Sequence, residues 1–229
     1  MDQLVSVVIP THNGQRYIGA TLDSVLAQRH RPLEILVVDD GSTDATAQIV
    51  RGYASEVRLI EQDQRGHPAA RNTGIRAAAG ELLGFLDHDD LWSPDKLERQ
   101  MACLERDPAL DLVFGHIQNF LTPEMPPEER RRLAVPLHPI PGLLQGAMLA
   151  RRRSFDRVGL FDEDRSVGDF LDWYGRAMLA GMNIEMLPET MLYRRIHANN
   201  FQRANKHRRR EYLRAVKDLL DRRRRAGGG

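Results

Sequence analysis

Leu82-Leu83-Gly84-Phe85-Leu86-Asp87-His88-Asp89-Asp90 is the stretch that decides the fold. Its first five residues read as a strand buried on both faces. The strand then runs straight into three carboxylates within four residues. The same pattern recurs upstream. Residues 5–9 form a β-branched run closed by Pro10 and followed by Thr11-His12-Asn13. Residues 34–38 form a second run, ending in Asp39-Asp40-Gly41-Ser42, and residues 57–60 a third.

Amphipathic helices are expected between these strands. Ile18, Leu22, Val25 and Leu26 fall at helical spacing. Ala45, Ile49, Val50 and Tyr53 mark a second helix, with Ser42 or Thr43 as its cap. An alanine-rich helix over residues 68–79 is expected to close at Gly80 in a left-handed conformation. Leu97, Met101 and Leu104 mark another helix after Pro94. This alternation predicts the α/β class: a mostly parallel central sheet with helices on both faces. Ligands of such sheets bind beyond the carboxyl ends of the strands. Those ends carry the polar clusters here, so one shared site is expected.

Three adjacent carboxylates repel one another unless a cation or solvent compensates them. A hard divalent ion, Mn²⁺ or Mg²⁺, shared with a diphosphate would do so. The plainer reading is a solvated turn before a helix capped at Ser93-Pro94. Neither a Walker-type loop nor a Gly-x-Gly-x-x-Gly follows the first strand. A metal ion and Arg71 therefore remain as the neutralisers of a diphosphate.

Composition excludes several classes. The 229 residues are 41% hydrophobic and 28% charged, with a net charge of +1, an ordinary globular balance. No apolar run approaches the roughly 20 residues of a membrane span. No signal peptide is expected at the N-terminus. The lone cysteine, Cys103, forms no internal disulfide; it reads as a core residue and fits a reducing cytoplasm.

The second half is less regular. Residues 121–141 carry six prolines, which argues against a long helix or a central strand there. A lid or an exposed connection is expected. A helix is expected over residues 169–180, and strands over 183–187 and 191–193. Residues 208–225 read as a basic amphipathic helix with Tyr212, Leu213, Val216, Leu219 and Leu220 on its apolar side. That helix either docks on the domain or meets an anionic membrane surface or an acidic partner. Nucleic acid ranks last, because the basic stretch has little aromatic interleaving. Gly227 to Gly229 reads as a flexible tail. The expected division is one domain over residues 1–204, with halves 1–105 and 106–204, and a tail over 205–229.

Four strings together resemble one family. They are Ser6-Val7-Val8-Ile9-Pro10-Thr11-His12-Asn13, Val37-Val38-Asp39-Asp40-Gly41-Ser42-Thr43-Asp44, Gly66-His67-Pro68-Ala69-Ala70-Arg71-Asn72-Thr73-Gly74 and Phe85-Leu86-Asp87-His88-Asp89-Asp90-Leu91-Trp92. In this order they resemble family 2 glycosyltransferases of the GT-A fold, and they cover about the first 105 residues. A weaker likeness continues through Val158-Gly159-Leu160-Phe161-Asp162-Glu163 to His197.

The resemblance implies a nucleotide-sugar donor, UDP-linked by family frequency, and an unidentified acceptor. Pro10, Thr11, His12 and Asn13 would line the nucleotide. Asp40 would read the base, with Asp39 beside it and Arg71 near the base or phosphates. Asp87, with His88, would face the ribose and metal, and Asp89 the metal, with Asp90 as a further metal-shell candidate. His197 could join the metal or the diphosphate, and Arg194 or Arg195 could steady the leaving group. Trp92 and Trp173 could stack on sugars, or pack in the core.

The family's inverting reaction needs a general base. Members carry a Glu-Asp pair at the start of a helix; here Gly168-Asp169 stands in its place. Asp169 becomes the candidate base and Asp172, three residues on, the runner-up; helix capping is the alternative role for Asp169. Without membrane helices or a Gln-x-x-Arg-Trp string, transfer of a single sugar is expected, in the cytoplasm or at the inner face of its membrane. Two other readings stay open: a binding module that has lost its base, and a nucleotidyltransferase.

Overall fold

A computed structural model describes residues 3–132, 135–165 and 167–197. The basic stretch 208–225 and the residues after His197 lie outside the described part.

The parallel half forms where it is expected. The strands are β1 (Val5–Thr11), β2 (Leu33–Asp40), β3 (Val57–Gln62) and β4 (Leu82–Phe85), in spatial order β3-β2-β1-β4. Their register sets Thr11 beside Asp39, and Asp40 beside Gln62, at one end of the sheet. Helices α1 (Ile18–Leu26), α2 (Thr46–Arg51) and α3 (His67–Ala77) connect them.

The sheet continues β4-β8-β6-β9-β5 through β5 (Leu91–Trp92), β6 (Leu112–Leu121), β8 (Leu149–Arg151) and β9 (Ile184–Ile196), with β7 (Ile140–Pro141) paired to β6. The joints β4·β8, β6·β8 and β5·β9 are antiparallel and short, whereas the long β6·β9 ladder is parallel. Helices α4 (Lys96–Arg106), α5 (Pro127–Arg132), α6 (Arg152–Val158) and α7 (Asp169–Leu179) complete the chain.

Each sheet face buries its own core. One holds Ile9, Leu22, Val37, Val50, Leu97 and Met101, so α1, α2 and α4 cover that side; Cys103 lies in it, as expected. The other holds Val8, Phe85, Phe114, Phe155, Phe161 and Trp173, beneath α3, α6 and α7.

Several local expectations are corrected. Gly80 is not left-handed; α3 ends at Ala78 in extended geometry. Gly80 is needed for close approach, because a Cβ there would come within 2.6 Å of the Leu4 carbonyl. Neither Ser42 nor Thr43 caps α2. Asp44 accepts the Thr46 amide instead, and Gln15 the Ala45 amide. Ser93 makes no cap for α4, which begins at Lys96. The two strands expected over 183–193 are one strand, β9. Pro188 sits where its register against β6 jumps from Phe114↔Met186 to His116↔Thr190. A proline has no amide proton to donate, so the break in periodicity marks an irregularity inside the strand, not its end. Among the described residues, the proline-rich 121–141 segment holds the end of β6, the short α5 and the two-residue edge strand β7.

Candidate functional site

The polar clusters converge at the carboxyl ends of β1, β2 and β4, where α3, α7 and the end of β9 also arrive. Asn13, two residues beyond β1, has φ 52, a conformation that asparagine tolerates. Its backbone N–H donates to Ser42 Oγ at 2.8 Å, and its side-chain oxygen accepts the Thr43 amide at 2.9 Å. His12 Nδ1 donates to the Asp40 carbonyl at 2.8 Å. These bonds staple the β1 and β2 ends together. Pro10 and Thr11 lie buried in β1, and Thr11 Oγ1 is a buried hydroxyl with no partner.

Asp39 Oδ1 accepts the Ser42 amide at 3.0 Å, closing the turn, and the residue lines an open cavity of about 450 Å³ with Glu61, Gln62 and Asp63. Asp40 has a different task. Its carboxylate accepts Gln62 Nε2 and the amides of Arg65 and Gly66, at 2.7–2.8 Å. Asp40 thus fixes the loop that launches α3.

Arg71 lies on α3 with its side chain only 5% exposed. Its Nη1 donates to Asp169 Oδ2 at 2.5 Å and its Nη2 to Asp87 Oδ1 at 2.9 Å. Burial alone would raise the Asp87 pKa; the Arg71 guanidinium outweighs it and holds the value down to about 2. Gln145 Nε2 donates to the other Asp87 oxygen at 3.2 Å. Asp87, Asp90, Gln145, Asp169, Leu171 and Arg194 line one cavity of about 350 Å³.

The adjacent acids divide the remaining contacts. Asp89 Oδ2 meets His197 Nε2 at 3.0 Å, and the His197 ring packs on Tyr17 with centroids 4.9 Å apart. Asp90 accepts the Arg195 amide at 2.8 Å. Its own burial, then the charges of Asp89 and Asp87, push its pKa well above the usual carboxylate range. His88 is held through its carbonyl by Thr21 at 2.8 Å, and its buried Nδ1 has no partner.

Among the described residues no three His, Cys, Asp or Glu side chains are assembled as a metal cage. Asp87 and Asp89 nevertheless supply hard oxygen donors, and their charges add to burial in raising Asp90, a crowding that a divalent cation would relieve. The donor set fits Mg²⁺ or Mn²⁺ completed by phosphate oxygens and water.

Helix α7 starts at Asp169 because Gly168 before it is left-handed, with φ 78. Glycine adopts that conformation freely and a glutamate does not. The missing family glutamate therefore coincides with a backbone that favours its absence. Asp172 points away from the cavity lining. It pairs with Arg176 at 2.9 Å and Arg165 at 3.7 Å, and Arg176 also bonds the Val158 and Leu160 carbonyls. Neither tryptophan presents a face for sugar stacking. Trp173 is fully buried, stacked on Phe155 at 4.5 Å, and Trp92 is 3% exposed. Arg194 lines the cavity, whereas Arg195 lies over the Tyr17 and Phe120 rings and donates to the Asp89 carbonyl.

Two site residues escaped the sequence reading. His67 stands one turn before Arg71 on α3. Burial and then Arg71 lower its pKa, and Asp87, His88 and Asp169 are close enough to act on it. Its spacing of four from Arg71 was the available signal. Gln145, which opens a short 3-10 helix (Gln145–Ala147) before β8, gave none.

A mostly parallel α/β sheet with acids at its strand ends, two of them bonded to Arg71, is the architecture of a GT-A glycosyltransferase domain. The chain belongs to glycosyl transferase family 2, which its residues 6–159 match. It is 30% identical over 207 residues to an uncharacterized glycosyltransferase of Rickettsia typhi, covering 85% of this chain and 64% of that protein. It is 38% identical over 119 residues to the Escherichia coli UDP-Glc:alpha-D-GlcNAc-diphosphoundecaprenol beta-1,3-glucosyltransferase, covering 51% of this chain and 47% of the relative. The chain thus spans less than two thirds of these relatives. The fold is shared with the Pyrobaculum calidifontis mannosyltransferase in complex with GDP-Man and Mn²⁺, at TM-score 0.74 and 24% identity, covering 96% of this chain and 65% of that one. It is shared also with Staphylococcus aureus TarS in complex with UDP-GlcNAc, at TM-score 0.69 and 24% identity, over 84% of this chain and 58% of that one. Among the described residues no helix is long and apolar enough to cross a membrane.

Proposed function

We propose that this chain transfers one sugar from a nucleotide-diphosphate sugar to an acceptor hydroxyl, with inversion, and that Asp169 is the general base. One observation carries the reading: Arg71 bonds Asp87 on the donor side and Asp169 on the other, and both acids line the same cavity. The proposed proton acceptor and the acid proposed to bind the donor line one cleft, which supports direct displacement.

Asp89 and Asp87 would hold Mn²⁺ or Mg²⁺, with Asp90 and His197 flanking them. The ion supplies charge neutralisation for the departing diphosphate. Arg194, on the cavity wall, is placed to add to that neutralisation. Asp169 takes the acceptor proton. A UDP-sugar is the preferred donor, supported by the Escherichia coli relative and by the UDP-GlcNAc complex of TarS; the GDP-Man complex makes a GDP-sugar the second choice. The same relative supports a lipid-linked sugar as the first acceptor to try.

The test is incubation with a panel of UDP- and GDP-sugars and Mn²⁺, reading nucleoside diphosphate release. Release that is lost in Asp89→Ala supports the reading. Pyrophosphate release would make the chain a nucleotidyltransferase instead. Tight nucleotide binding without turnover on any acceptor would make it a binding module.

A further inference from the structure

Lys96 is fully buried on α4, and no carboxylate accounts for it. Its Nζ donates to Gln100 Oε1 at 2.6 Å and to the Met148 carbonyl at 3.1 Å, and lies 4.2 Å from the Trp92 ring centroid. Burial holds its pKa well below the usual lysine range. A methionine would fill this space without that cost, so the amine must supply something specific.

What it supplies is part of a clamp. Trp92, Lys96 and Gln100 are spaced four apart. Trp92 Nε1 donates to the Gly146 carbonyl at 2.9 Å, Gln100 Nε2 to the Ala147 carbonyl at 2.9 Å, and Lys96 to Met148. Each carbonyl of Gly146, Ala147 and Met148 is thus gripped by a different buried side chain. Gln145 immediately precedes this segment, lines the cavity, and bonds Asp87 Oδ2. Arg71 holds Asp87 Oδ1. The carboxylate plane of Asp87 is therefore fixed at both oxygens, from α3 on one side and from the clamped segment on the other.

We infer that Gln145 is a positioning residue that orients Asp87 toward the donor nucleotide, and that the Trp92–Lys96–Gln100 clamp exists to hold Gln145 there. The inference rests on the donor reading above. It predicts that damage to the clamp reaches donor affinity only through Gln145.

The experiment titrates UDP and GDP, each with Mn²⁺, into wild type, Gln145→Ala, Trp92→Phe, Lys96→Met and the pairs with Gln145→Ala. Gln145→Ala is expected to weaken nucleotide binding by about tenfold, the scale of one lost bond to a charged group, and to lower the melting temperature by only about 2–4 °C. Trp92→Phe leaves a smaller aromatic ring and removes the Nε1 donor; it is expected to weaken binding by ~3-fold. Neither clamp variant should weaken binding further once Gln145 is alanine. Trp92→Phe carries this test if Lys96→Met does not fold. Unchanged binding in Gln145→Ala overturns the inference, as do clamp effects that multiply with the loss at Gln145. Wild-type protein that binds neither nucleotide overturns the donor reading as well.

Discussion

Arg71 and Asp169 lie 98 residues apart in sequence and meet at 2.5 Å. Arg71 also bonds Asp87, so one guanidinium pairs with both the candidate base and the first acid of the Asp87-His88-Asp89-Asp90 run. A donor diphosphate entering the cleft would compete for the same guanidinium.

Removing the guanidinium should leave two acids facing each other. Arg71→Met is expected to cost about 2 kcal/mol, less than the ~3–5 of a fully buried pair, because the Asp87 side chain is 33% exposed. Arg71→Lys keeps the charge without the fork, so it should regain stability and not activity. Chemical denaturation and turnover measured on the same samples check this. Equal recovery of both would contradict it.

Asp172 should behave as a structural acid. Asp172→Asn loosens its pairing with Arg176 and Arg165 and is expected to lower stability by about 2 kcal/mol, or roughly 4–8 °C in Tm. Turnover of the folded fraction should stay within about threefold of wild type, since the pairing spends its effect on stability. A large loss of turnover with Tm intact would move the base to Asp172.

Restoring the family glutamate should harm the fold. Gly168 has φ 78, so Gly168→Glu is expected to destabilise by about 1–2 kcal/mol, and Gly168→Asn by less. Thermal melts of the two variants test the ranking. A stabilised glutamate variant would show that the backbone does not select glycine there.

Asp87 sets a pH dependence. Its folded pKa of about 2 lies below the ~3.9 of an unfolded aspartate. The unfolded chain binds that proton first as pH falls. The stabilisation is therefore complete above about pH 4 and is lost as pH falls through about 2. The stability gap between wild type and Asp87→Asn should be constant from pH 7 to 5 and close below pH 4. A gap independent of pH down to 2 would contradict the assignment.

The parallel half of the fold was legible because its signals are local. Residues 5–9, 34–38 and 82–86 are apolar runs closed by polar strand ends, and the structure brings those ends together. The second half was not, for physical reasons. Strand β6 mixes Gly115, His116, Gln118 and Asn119 into its apolar run, and β9 contains Pro188, so periodicity hides both. Trp92 and Trp173 carry no mark that separates core packing from sugar stacking; burial decides it. The Arg71–Asp169 bond joins two helices and was visible only as two separate expectations. Gln145 owes its place to partners at 92, 96 and 100, which no spacing near 145 reveals.

The most direct test of the central claim is nucleoside diphosphate release by Asp169→Asn beside wild type, on the best donor and acceptor pair, with donor affinity measured on the same protein. Asparagine can fill the site and bond Arg71 but cannot take a proton. Turnover is predicted to fall by about 10³, within the range for a lost general base, with donor affinity changed less than about threefold. Undiminished release by Asp169→Asn would contradict the account.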